Sequence, residues 1–191
     1  MQQPYNQHQT AMNNSAPNPA AMRPAGYAFV LDEASAEKAG DMPFITETGE
    51  VHATITRVEY RRNETGSHAV LVRFMDDEEK RGTVSLTYLQ ADGQTPVFGA
   101  NFINAMLYLM GLPGFSWGVG VNDQGQQVQV AQEFTGQRIG LVVEAVPNQN
   151  NQGSHLELRQ VFDIASRCTA SEAKNSEAAE AVDKLLKRLI V

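Results

Sequence analysis

The sequence predicts a mainly β domain: a small barrel of five strands, one helix between the third and fourth strands, and an amphipathic helix at the C-terminus. Three observations lead there. Apolar residues alternate at period two over three successive segments between Gly49 and Gln90, the mark of half-buried strands. The period turns helical between Phe98 and Leu112. Two more strand-like segments follow, Gly136 to Pro147 and Ser154 to Phe162.

Each element has its own signature. From Gly49 to Arg61, Val51, Ala53 and Ile55 alternate with His52, Thr54 and Thr56. The apolar parity then switches to Val58 and Tyr60, as it does where a β-bulge or sharp bend inserts one residue. Asn63 to Ser67 reads as a turn. His68 to Met75 is a second strand with Val70, Val72 and Phe74 on one face. The acidic run Asp76 to Glu79 connects it to a third, Arg81 to Gln90, with Val84, Leu86 and Tyr88 facing one way. Phe98, Phe102, Ile103, Met106, Leu107 and Met110 form a helical stripe, ended by Gly111 and Pro113-Gly114. A Gly- and Gln-rich loop holds Phe115 and Trp117, and Gln127 to Ala131 adds at most a short strand. Asn148 to Gly153 is a polar hairpin loop between the last two strands.

A long bent first strand, and a helix between strands three and four, is the architecture of the five-stranded OB-type barrel. The bend lets one strand serve both sides of the closed sheet. An open antiparallel sheet with one packed helix has the same periodicities.

The flanks differ from this domain, which is expected over residues 44–165. Residues 1–26 are low in complexity and rich in Gln, Asn, Pro and Ala, so they read as a disordered arm. Residues 27–43 are a linker or docking segment with an apolar patch at Tyr27–Leu31. Residues 171–191 carry an amphipathic stripe of Ala178, Ala181, Val182, Leu185, Leu186, Leu189 and Ile190. That stripe suits packing on the domain's own surface, or contact with a second copy or another partner.

Composition narrows the function. The chain has 191 residues and 42% hydrophobic content, enough for one core. It has no apolar run long enough to cross a bilayer and no basic-then-apolar start, so a cytoplasmic location is expected. Cys168 is the one cysteine and the four histidines show no ligand spacing, so no metal or other cofactor is expected. No GxSxG, HExxH, P-loop or acid–base pattern appears. A binding protein is expected rather than an enzyme.

The net charge is −7, which by itself disfavours a polyanionic ligand. Local distribution matters more. Eight Lys or Arg residues lie between Phe44 and Ala165, and six of them, Arg57, Arg61, Arg62, Arg73, Lys80 and Arg81, fall in the first three strands and their turns. If Val58, Tyr60, Val70, Val72, Phe74, Val84 and Leu86 point inward, then Arg57, Arg61, Arg73 and Arg81 point outward, beside the hydroxyls of Thr83, Ser85 and Thr87. Arginine and hydroxyl groups both bond phosphate oxygens. The same pattern also fits an ordinary solvated face, with Glu50, Glu59, Glu64 and Glu157 nearby. Base stacking needs exposed aromatics. Parity places Tyr60 and Tyr88 in the core unless curvature tips them out; Phe115 and Trp117 in the Gly-rich loop are better placed to meet a ligand, Trp117 either as a stacking platform or as a lid over the barrel end. Arg159, with His155, extends the groove from the last strand.

Three segments carry a resemblance: Phe44–Ile55, the helix around Asn104–Leu112, and Phe134–Glu144. Together they resemble phage-encoded single-stranded DNA-binding proteins over roughly Phe44 to Phe162. The resemblance implies an OB fold and a role in DNA replication or recombination, coating exposed strands and meeting replication or recombination proteins. Many such proteins end in an acidic tail tipped with an aromatic residue. This chain ends Lys187-Arg188-Leu189-Ile190-Val191 instead. The expected site is therefore Arg57, Tyr60, Arg61, Arg62, Arg73, Arg81, Tyr88, Trp117 and Arg159, holding single-stranded DNA with little sequence preference. The rival expectation is a protein-interaction module that assembles through its C-terminal helix without nucleic acid.

Overall fold

The computed structural model describes residues 43–122, 124–149 and 153–190. The expected arm, the linker up to residue 42 and the middle of the last hairpin loop lie outside these. The elements, in chain order, are β1 (Gly49–Arg62), β2 (His68–Met75), β3 (Arg81–Leu89), α1 (Gly99–Leu109), β4 (Gly118–Val121), β5 (Gln127–Val130), a 3-10 turn (Gln132–Phe134), β6 (Arg138–Pro147), β7 (Ser154–Phe162), α2 (Ala170–Asn175) and α3 (Ala181–Leu189).

The strands form one sheet in the order β2-β3-β7-β6-β1-β5-β4, and β2 also pairs with β1. That extra pairing curls five strands, β1-β2-β3-β7-β6, into a ring. Closure is partial, because β3 and β7 run parallel and pair only at Val84–Leu156. The chain is thus mainly β with a partly closed five-strand ring, but the sheet has seven strands, not five. The additional two are the β4–β5 hairpin. Alternating glycines at Gly118 and Gly120 made β4 look like loop, since glycine gives no strand signal.

The parity switch in β1 has the predicted cause. Ile55 pairs with Phe74 and Arg57 with Arg73, so Thr56 is the extra, exposed residue of a bulge. Before it, Val51, Ala53 and Ile55 face the core; after it, Val58 does. The bend lets the first part of β1 pair with β6 and the second with β2. Beyond β6, the β5 strand takes up the vacated edge at Glu59–Val130.

The ring interior holds one core, with Val58, Val70, Val72, Phe74, Val84, Leu86, Ile139, Leu141, Leu158 and Val161 among its members. Helix α1 adds Phe102, Ile103 and Met106. Gly99 permits its approach to β3: a Cβ there would lie 2.1 Å from the Thr87 carbonyl oxygen. Past Met110, Gly111 takes φ +67° and ends the helix.

The tail is two short helices rather than one helix over residues 171–191. Ser176, at φ +56°, stops α2. Val182 of α3 packs on Val142 and Phe162, on the outer side of the ring, with Leu185, Leu186 and Leu189 beside it. Arg167 fastens α3 to β1 through Asp183 (2.9 Å) and Glu50 (3.0 Å). Of the amphipathic stripe, Val182, Leu185, Leu186 and Leu189 pack on the domain's own surface, whereas Ala178 and Ile190 stay exposed. No helix among the described residues is long and apolar enough to cross a membrane.

Candidate nucleic-acid interface

Two neighbouring features meet the expected site. The first is the outer wall of β1, β2 and β3. Cross-strand pairing sets it out in rows: Met75 with Arg81; Arg57 with Arg73 and Thr83; Glu59 with Leu71 and Ser85; Arg61 with Ala69 and Thr87. The arginines do share one face. Arg61 and Arg81 lie at its opposite ends, separated along β3 by six residues, about 20 Å of strand.

The wall is not uniformly basic. Arg57 Nε lies 2.7 Å from Glu59 Oε1, and Arg73 Nε lies 3.6 Å from the same oxygen. Neither contact is aligned as a hydrogen bond, so both attract by charge. Arg57 Nη2 also donates to the Val121 carbonyl at 2.7 Å, fastening the β4–β5 hairpin to β1. Arg159 sits on β7, next to β3 in the ring, and is matched by Glu144 (2.5 Å) and Glu157 (2.8 Å). Arg57, Arg73 and Arg159 are thus engaged, where the sequence suggested free outward cations. Arg138 pairs with Asp77 and Lys80 with Glu78, each at 2.6 Å. The acidic run therefore serves its own turn and β6: Asp76 Oδ1 accepts from the backbone N–H of Glu78 and Lys80. Arg61, Arg62 and Arg81 are exposed and form no ion pair among the described residues.

The second feature is a chain of rings. Phe134 meets Phe115 at 5.4 Å between centroids and Phe115 meets Trp117 at 5.0 Å. Trp117 meets Tyr60 at 5.6 Å, Tyr60 meets His68 at 5.7 Å, and His68 meets Tyr88 at 6.5 Å. Phe134 is buried; the other five are half-buried and each keeps part of its surface in solvent. Parity places Tyr60 and Tyr88 in the core unless curvature tips them out; Tyr88 does pack against the core while staying part-buried. Tyr88 is the extra residue of a bulge, since Ala69 pairs with Thr87 and His68 with Leu89, and a bulge re-aims its side chain. Tyr60 is the last inward position of β1 and lies at the end of the five-strand ring.

Polar contacts hold the rings in place. Tyr60 Oη is 2.9 Å from His68 Nδ1. Glu133 Oε1 accepts from the Ser116 N–H (2.8 Å) and hydroxyl (2.7 Å), which pins the loop carrying Phe115 and Trp117. The Ser116 hydroxyl in turn holds the Glu133 carboxyl below the usual range. Burial, with a smaller contribution from Tyr60, pushes the Tyr88 phenol up, so it stays neutral at physiological pH. Arg62 pairs with His68 across the β1–β2 ladder, so an exposed guanidinium flanks the rings. The sequence points to Phe115 and Trp117 together, but not to His68 as a member of this chain, nor to Glu59 as the centre of the wall. Among the described residues, no three His, Cys, Asp or Glu side chains gather as a metal site.

Fold and site together define the class: a mainly β chain with a partly closed five-strand ring, a chain of part-buried aromatic rings and a partly neutralised arginine wall beside it. No protein-family model matches the sequence, and no curated protein matches it.

Proposed function

We propose that the five-strand ring is an OB-type barrel and that the chain binds single-stranded DNA with little sequence preference. Its strand order 1-2-3-7-6, closed by a parallel pair, and its helix after β3 support the OB reading. The observation that carries the binding reading is the run Phe115–Trp117–Tyr60–His68–Tyr88. Each ring is part-buried and keeps a minor share of its surface in solvent, and rings spaced in this way offer successive faces and edges to unpaired bases. Every base has a π-face, so such a platform tolerates any sequence. Arg62 and Arg61 stand at its edge, and Arg81, Thr83 and Ser85 continue the polar wall. Phosphates follow that wall while bases turn toward the rings. The place of this activity is the replication or recombination of phage DNA in the host cytoplasm, as the resemblance implies.

The test is a titration of intrinsic fluorescence with oligo-dT at two salt concentrations. Trp117 is the chain's one tryptophan, so the signal reports on the platform. Saturable quenching that weakens at higher salt is expected. Unchanged fluorescence together with unchanged anisotropy of a labelled oligonucleotide overturns the proposal.

A further inference from the structure

We infer that Glu59 is an internal counter-charge that sets how strongly the Arg57–Arg73 pair holds a backbone phosphate, an inference that rests on the single-stranded DNA reading. The carboxylate stands on the outer wall, on the same face as both arginines, and its Oε1 is within ion-pair distance of both Nε atoms. Its side chain is only 9% exposed, against 23% for Arg57 and 33% for Arg73. An anion arriving from solvent therefore meets the guanidinium groups first and the carboxylate lies behind them. Thr83, exposed and paired across the ladder with Arg73, adds a hydroxyl donor to the same spot.

Glu59 offsets one unit of the positive charge that Arg57 and Arg73 bring to this wall. The phosphate subsite is present but attenuated. Attenuation suits a coating protein, which must hold a strand and still give it up. Gly120 lets β4 lie close on β5, since a Cβ there would sit 2.9 Å from Val130 Cγ1, and it is beside this glycine that Arg57 Nη2 reaches the Val121 carbonyl.

The experiment compares wild type, Glu59→Gln, Arg73→Gln and the double variant Glu59→Gln/Arg73→Gln. Binding of labelled oligo-dT is followed by anisotropy from 50 to 200 mM salt, and folding is checked by thermal melting. Relative to wild type, the charge of the patch changes by +1 in Glu59→Gln, by −1 in Arg73→Gln and by 0 in the double variant. For single strands the log–log salt slope changes by about 0.7 per phosphate contact neutralised. Glu59→Gln is expected to bind more tightly at 50 mM, with a slope steeper by about 0.7, so that its advantage shrinks roughly threefold by 200 mM. Arg73→Gln becomes shallower, and the double variant returns to the wild-type slope. Should Glu59→Gln not fold, the step from Arg73→Gln to the double variant reads the same charge in a balanced background. If Glu59→Gln binds no tighter and leaves the slope unchanged while wild type binds, Glu59 only positions the arginines and the inference fails alone. If wild type itself does not bind, the functional reading fails, and this inference with it.

Discussion

The Tyr60 hydroxyl lies 2.9 Å from Nδ1 of His68, joining β1 to β2 at the middle of the aromatic chain. The bond fixes the Tyr60 ring, and Trp117 leans on that ring at 5.6 Å with an interplanar angle of 71°. Loosely held rings would offer no defined surface. Here the Tyr60–His68 bond and the Glu133–Ser116 bonds hold the platform from two sides.

Tyr60→Phe separates the hydroxyl from the ring. The bond is part-buried, so its loss costs about 0.5–1.5 kcal/mol of stability. The ring itself is kept. Urea unfolding is expected to show a lower midpoint with an unchanged slope, while oligo-dT affinity stays within about twofold of wild type. A large loss of affinity with no loss of stability would show that the hydroxyl meets the ligand directly.

Trp117→Ala removes one platform. Base–aromatic stacking contributes about 1–3 kcal/mol per base, so affinity for oligo-dT is expected to fall about 5- to 150-fold. Phe98 is the matched control. It is 72% exposed at the start of α1 and touches Phe102, away from the ring chain. Phe98→Ala is expected to leave binding unchanged. Equal losses in the two variants, measured by anisotropy, would point to a general apolar effect rather than a site.

The arginines divide by their partners. Arg61 and Arg81 are exposed without ion pairs among the described residues, whereas Arg159 is held by Glu144 and Glu157. Reversing Arg61 and Arg81 together to Glu is expected to weaken binding strongly at 50 mM salt and to flatten the salt dependence. Arg159→Ala is expected to change affinity little, because its charge is already matched. The pair of salt titrations decides it: a larger effect at Arg159 would move the phosphate path onto β7.

Much of this was legible in the sequence, and the rest fails for identifiable reasons. The bulge at Thr56 shows as a change of parity from Ile55 to Val58, because side-chain period is fixed by backbone geometry. The common face of Arg57, Arg61, Arg73 and Arg81 follows from the same rule. Parity says nothing of neighbours across the sheet, however, so the closing of Glu59 on Arg57 and Arg73 was invisible. The bulge at Tyr88 left no trace, since Tyr88 continues the alternation of Val84 and Leu86 while its backbone departs from it. The tail reads as one helix over residues 171–191, but its apolar stripe begins only at Ala178, and Ser176, whose left-handed backbone ends the first helix, stands before all of it.

Glu172 holds that broken tail together, and its titration gives a pH test. It is 6% exposed. One carboxylate oxygen accepts from the Thr169 N–H and hydroxyl, the other from the N–H groups of Glu180 and Ala181, all at 2.8 Å. It therefore caps the first turns of α2 and α3 at once. Burial pushes its pKa up, but the hydrogen bonds from Thr169, Ala181 and Glu180 outweigh this and bring it down to about 2 from an ordinary 4.5. A depressed folded-state pKa contributes stability that is fully present above about 4.5 and is lost as pH falls toward 2. The contribution at neutral pH is about 2–3 kcal/mol. Glu172→Gln keeps the shape and removes the charge. At pH 6 it is expected to unfold at lower urea than wild type, and between pH 5 and pH 3 its midpoint should fall less steeply. Matching midpoints for the two proteins at pH 6 would mean that the doubly capped carboxylate adds nothing, and that α3 stays docked through Val182, Leu185 and Leu189 alone.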